Sequence, residues 1–126
     1  MNNLEFVANF SCRTDNNIFV IIIPCVHDKE ALLSAYYKQA EFPYYGFNWD
    51  ALEELLRDFS WVQQEKILIY HDGLLELNGR EKSIYMGIVI RTLKWWENYA
   101  DHVVHYYFNE KEKTKIEELI VQLDIS

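Results

Sequence analysis

The segment Ile18-Phe19-Val20-Ile21-Ile22-Ile23 constrains the fold more than any other, because it is apolar without a break and mostly β-branched. Bounded by turn signals, it reads as a strand buried on both faces of a parallel sheet. Two comparable runs follow, Lys66-Ile67-Leu68-Ile69-Tyr70 and Val103-Val104-His105-Tyr106-Tyr107-Phe108. The chain between these runs is helical in period. One helix opens at His27-Asp28-Lys29-Glu30 with Leu32, Leu33, Tyr36 and Ala40 in phase, a second spans about Asn48 to Phe59, and a third runs from about Arg80 to Tyr99. Strands separated by helices imply right-handed crossovers, so the expected fold is α/β, a three-stranded parallel sheet packed by helices.

The ends of the chain read as additions to this framework. Leu4 to Phe10 has the character of a short strand, Arg13-Thr14-Asp15-Asn16-Asn17 is a turn-rich break, and the charged turn Asn109 to Lys113 precedes a short amphipathic helix carrying Ile116, Leu119, Ile120 and Leu123. Residues 1–17 and 111–126 are expected to be N- and C-terminal extensions of a single domain, 1–126, that cover sheet edges. A chain of 126 residues is long enough to bury one core without disulfides or metals.

The net charge of −8 and pI near 4.9 argue against nucleic acid as a partner, since neutralising phosphates takes clustered Lys and Arg. A basic protein suits this surface better. No secretory signal is visible, because Met1-Asn2-Asn3-Leu4-Glu5-Phe6 lacks a basic start and Ile18 to Val26 is too short and too late to serve or to span a membrane. The expected setting is the cytoplasm, with no membrane partner.

Residues 43 to 58 join an aromatic loop to an amphipathic helix. At about 100° per residue, Asp50, Glu53, Glu54 and Asp58 share one arc, and Trp49, Leu52, Leu55, Leu56 and Phe59 share the opposite one. Tyr44 and Tyr45 stand directly before Gly46, which is expected to supply the freedom for a tight turn. Asn48 is placed to cap the helix, with Asp50 beside the positive end of its dipole. Arg57 lies inside the acidic arc, within reach of Glu53 or Glu54.

The run Tyr44-Tyr45-Gly46-Phe47-Asn48-Trp49-Asp50-Ala51-Leu52 resembles the signature of the barstar family, small bacterial proteins that inhibit secreted ribonucleases. Its pattern is an aromatic pair, Gly, any residue, Asn, a hydrophobic residue, Asp, Ala and Leu, and the order of strands and helices read above matches the family's. The resemblance implies an immunity protein that occludes the basic active site of a cognate toxin nuclease in a 1:1 complex and is monomeric when free. On that reading Asp50 and Glu54 stand where substrate phosphates go, Tyr44 and Tyr45 add flat apolar contact, Glu53 and Asp58 flank them, and Asn48 and Trp49 complete the binding set. Attraction between oppositely charged surfaces speeds such encounters, an effect whose worked example is the barnase–barstar pair itself. Two departures stand out. The family's second acidic position is here Glu54, one methylene longer than Asp, and the distal acidic contact finds no matching carboxylate in Ile90-Arg91-Thr92-Leu93-Lys94-Trp95-Trp96-Glu97, where Glu97 is nearest.

Two other classes of function fit parts of this pattern. One is an acidic regulatory module that binds a basic non-nuclease protein or mimics nucleic acid. The other is a small hydrolase using the acidic helix, but carboxylates three or four apart on a helix lie on one side, whereas glycosidic chemistry needs them on opposite sides of a bond. No catalytic residue, cofactor or metal site is expected. His102 and His105 are spaced to point to opposite faces of a strand, His27 and His71 read as turn or capping residues, and Cys12 and Cys25 read as free thiols without a role, Cys25 being expected to be buried at the end of its apolar run. In Trp95-Trp96 and Tyr106-Tyr107, one ring of each pair is expected in the core and one nearer the surface.

Overall fold

The computed structural model describes residues 3–9, 15–46 and 48–125. The readings placed on Phe10, Cys12, Arg13, Thr14 and Phe47 lie outside them. Four strands, β1 (Leu4–Val7), β2 (Ile18–Ile23), β3 (Lys66–His71) and β4 (Val103–Asn109), pair in parallel in the order β1-β4-β3-β2. The helices are α1 (Lys29–Gln39), α2 (Trp49–Leu56), α3 (Gly79–Glu97) and α4 (Lys113–Ile125), the last preceded by a 3-10 turn at Glu110–Glu112.

The sheet has four strands among the described residues where three were expected. Leu4–Val7 is short and carries an exposed Glu5, so it declares little by itself; its register with β4, Leu4↔Tyr106 to Val7↔Asn109, is what makes it a strand. β1 thereby covers the outer edge of β4. At the other side the long apolar run forms β2, which pairs only with β3 and is an edge strand.

Nor is that run buried on both faces. Because β2, β3 and β4 step across the sheet in one direction, right-handed crossovers put their connecting helices on one side. The packed face carries Ile21 and Ile23, Ile67, Ile69 and His71, then Val104, Tyr106 and Phe108, all buried. On the opposite face Val20, Ile22, Leu68, His105 and Tyr107 are only half-buried. Hydrophobic pattern reports that a strand is apolar, whereas its place in the sheet and the cover over each face come from the connections.

Helix starts are written locally. Asp28, Asn48 and Asn78 each sit in extended backbone and accept, at 2.8 Å, the amide of the residue three positions on, Ala31, Ala51 and Glu81. That is the capping geometry, worth about 1 kcal/mol at each helix. Two indoles then tie helix ends to the core: Trp61 Nε1 donates to Ala40 O at 3.0 Å and Trp96 Nε1 to Leu56 O at 2.8 Å. Trp96 is buried while Trp95 is only partly so, and Tyr106 and Tyr107 divide in the same way.

A polar chain runs through the apolar core. His71 is not a turn residue: it ends β3 inside the core, stacked on Phe108 at 4.1 Å between ring centroids. Its Nδ1 lies 2.8 Å from the Tyr107 carbonyl, which can only accept, so Nδ1 carries the proton and Nε2 accepts from the Tyr85 hydroxyl. Tyr85 in turn meets the Tyr36 hydroxyl of α1. Burial holds the imidazole neutral, lowering its pKa to about 4, and pushes both phenols well above the usual tyrosine range. The charged turn after β4 is also partly internal, since Glu112 pairs with Lys82 of α3, both nearly enclosed, and Lys82 Nζ donates to Leu75 O at 3.3 Å.

Candidate functional site

The loop and helix of residues 43 to 58 are built around one close approach. A Cβ placed on Gly46 would lie 2.6 Å from the Ala51 Cβ, nearer than two non-bonded carbon atoms can come. Gly46 is therefore required for lack of a side chain, and its backbone is not left-handed. Ala51 is the counterpart: its amide is the one held by Asn48, and its small side chain lets the loop fold back on the first turn. Gly46, Asn48 and Ala51 thus fix how the loop enters α2.

α2 is shorter than its periodicity suggests. It ends at Leu56, with Arg57 as its C-cap, and Phe59 takes a left-handed conformation (φ 48°) that no helix continues through. Phe59 is still fully buried, because the turn carries its ring inward next to Trp61 and Trp96. Asp58 consequently lies beyond the helix and not on its acidic arc, although it is exposed. Leu52, Leu55 and Leu56 form the buried face.

The remaining acidic residues divide by environment. Asp50 in the first turn and Glu54 one turn later are both exposed, and as an i, i+4 pair their Cβ atoms are about 5–6 Å apart on the same side. Glu53 is committed elsewhere. Arg91 of α3 binds it in bidentate fashion, Nε to Oε2 at 2.9 Å and Nη2 to Oε1 at 2.8 Å, and this hydrogen bonding holds the Glu53 carboxyl below the usual range. Arg57, expected to pair with Glu53 or Glu54, lies over the Trp95 ring at 5.3 Å, from where its charge still helps to lower the Glu53 pKa, and Trp95 stacks on Tyr99 at 4.3 Å. Glu97, the last residue of α3, is exposed.

The aromatic members also separate. Tyr44 is about half exposed, whereas Tyr45 packs edge-on against Tyr37 of α1 with centroids 5.2 Å apart. Trp49 is partly buried against the core, with the Lys29 ammonium 5.8 Å from its ring centre. Asn48 spends its side-chain oxygen on the cap. Of the eight residues picked out from sequence, Tyr44, Asn48, Asp50, Glu54 and Asp58 are exposed, and Tyr45, Trp49 and Glu53 are partly buried. Arg91 was missed. It lies 38 residues from Glu53 along the chain, and no local spacing signals such a partner.

His102 and His105 do point to opposite faces. His102 is buried, with its two ring nitrogens within 2.8 and 3.1 Å of the Gln64 and Phe59 carbonyls, which anchors the link between α2 and β3. His105 is half-buried on the other face, where desolvation lowers its pKa.

A parallel sheet with helices on one face, and a rigidly capped helix offering two carboxylates and a tyrosine to solvent, define a small α/β protein with an acidic presentation surface. Residues 16–116, most of the chain, match the model of the Barstar (barnase inhibitor) family, and the chain belongs to that family. Comparisons with the curated proteins and with the solved structures found no match.

Proposed function

We propose that this protein is a stoichiometric immunity protein that blocks the cationic active site of a bacterial toxin nuclease, a ribonuclease by preference, by docking the exposed face of α2 into it. The observation that carries this reading is the pair Asp50 and Glu54, solvent-facing on a helix whose entry is locked by Gly46, Asn48 and Ala51, in a chain of the barnase-inhibitor family. A nuclease site already arranges cations to receive phosphates. Carboxylates on a pre-ordered helix meet those cations with little loss of freedom, which is how binding avoids part of its entropic cost. Tyr44 and Tyr45 add apolar area beside the charges, and Asp58 extends the negative surface past the helix end. Glu53, neutralised by Arg91, supports the face from behind.

In this reading the whole chain, 1–126, acts as one domain, binds one toxin molecule and catalyses nothing. Asp50 and Glu54 sit on one side of one helix and do not bracket a substrate bond. No helix among the described residues is long and apolar enough to cross a membrane, and the proposed place of action is the cytoplasm, where an incoming toxin must be met.

The test is affinity capture from a lysate of the source cells, with wild-type protein and the Asp50→Asn, Glu54→Gln variant immobilised side by side. A basic nuclease retained by the wild type, with affinity reduced about a hundredfold or more in the variant, supports both function and face. Equal capture by the two proteins, or capture of a basic partner with no nuclease activity, overturns it.

A further inference from the structure

At the carboxyl ends of β2 and β3, outside the residues of α2, the chain brings together a thiol, an imidazole and a carboxylate. We infer that Cys25, His27 and Glu76 form a surface site for a zinc-like divalent metal ion, with one coordination position left open. One ligand atom from each of the three lies within 4.8 Å of the other two.

The backbone explains why three residues from two loops meet. Beyond the sheet proper, Val26 and Leu75 form a parallel bridge, held by Asp72 N donating to Ile23 O at 2.7 Å and Glu76 N to Val26 O at 3.0 Å. Val26 and Leu75 are buried. Side chains alternate along extended chain, so Cys25 and His27, on either side of Val26, and Glu76, next to Leu75, are turned outward together. The bridge register sets His27 opposite Glu76, and Nδ1 and Oε2 are 2.6 Å apart. Gly73, with φ 103°, makes the turn that returns the second loop toward Cys25, whose Cβ lies 3.5 Å from where a Gly73 Cβ would stand.

The donor set selects the ion. Thiolate and imidazole are soft to borderline ligands that suit Zn²⁺, whereas Mg²⁺ and Ca²⁺ prefer all-oxygen sites. Ligand atoms about 2.0–2.3 Å from a tetrahedral zinc stand about 3.3–3.7 Å from one another. The three groups are exposed, so small side-chain rotations close them onto an ion while the bridged backbone stays fixed. Three protein ligands leave the fourth position for water or for a group from another molecule.

Co²⁺, which reports thiolate ligation through a charge-transfer band in the near ultraviolet, is the probe, added to the untagged, reduced full-length chain. The expected result is one Co²⁺ per chain with that band, displaced by Zn²⁺, absent in Cys25→Ser and retained in Cys12→Ser. His27→Ala and Glu76→Gln are expected to weaken binding by at least about tenfold, since even outer-shell changes cost that much. Circular dichroism of each variant should match wild type, because all three side chains are exposed. Absence of the band in the wild type, its survival in Cys25→Ser, or affinity unchanged by both His27→Ala and Glu76→Gln would overturn the site.

Discussion

Two ion pairs join helices or turns distant in sequence, and they differ in nearly everything but charge. Lys82–Glu112 is almost sealed, with side-chain exposures of 5% and 9%, whereas Arg91–Glu53 has 57% and 16%. In the first, the low-dielectric surroundings make each charge dependent on the other, and the Leu75 carbonyl takes a further ammonium proton. In the second, water shares the work, and the fork of the guanidinium supplies geometry more than energy. The buried pair therefore fastens the end of β4 to α3, while the exposed pair orients Glu53 beneath the presentation face and subtracts its charge from that face. Asp50 and Glu54 stay exposed.

This contrast breaks most readily at Glu112. Glu112→Ala strands the Lys82 ammonium and should cost about 3–5 kcal/mol in urea unfolding; a loss no larger than that of Arg91→Ala would show that the burial of the pair carries no weight. Next comes the buried imidazole. Its folded pKa, about 4, lies below the 6.5 of the free side chain, so the unfolded chain takes up a proton that the folded chain refuses. Stability is then full above pH 6.5 and falls as pH drops toward 4, by about 3 kcal/mol in total. His71→Phe should flatten most of that slope, leaving a residue of the same sign from His105, whose pKa is also lowered. A slope unchanged in His71→Phe would place the titrating group elsewhere.

Smaller effects belong to the exposed pair. Arg91→Ala should lower stability by about 1 kcal/mol at neutral pH. Because pairing depresses the Glu53 pKa, the stabilisation is present above the ordinary value of 4.5 and is lost as pH falls below it, so the variant should also be less sensitive to acid in that range. The smallest change is expected for Asp50→Asn with Glu54→Gln, within about 0.5 kcal/mol for each substitution, as for other solvated surface positions. Thermal melts of the double variant matching wild type, beside lost capture of the nuclease, would separate a binding face from a structural one.

Much of this arrangement is legible residue by residue. Asp28 and Asn48 announce helix starts because a cap is made within four residues; Asn78 caps α3 in the same way but was not read from the sequence. The apolar runs at β2, β3 and β4 declare strands because side chains alternate wherever the strand ends up. The family pattern from Tyr44 to Leu52 is likewise contiguous, and with it came the reading of the α2 face.

What escaped is what depends on contacts between distant segments. β1 is a strand through its partner, β2 is an edge through the connection order, and α2 stops at Leu56 because Phe59 must turn into a core assembled from Trp61 and Trp96. Glu53 and Glu54 are neighbours of the same chemistry, and only the position of Arg91 on another helix separates one bound carboxylate from one free to meet a partner. His71 and Glu112 read as surface residues because charge and polarity in a sequence say nothing of burial. Local hydrogen bonds and periodicity act over a few residues and so are written there; burial, ion pairing and sheet order arise when the closed chain chooses which surfaces to remove from water.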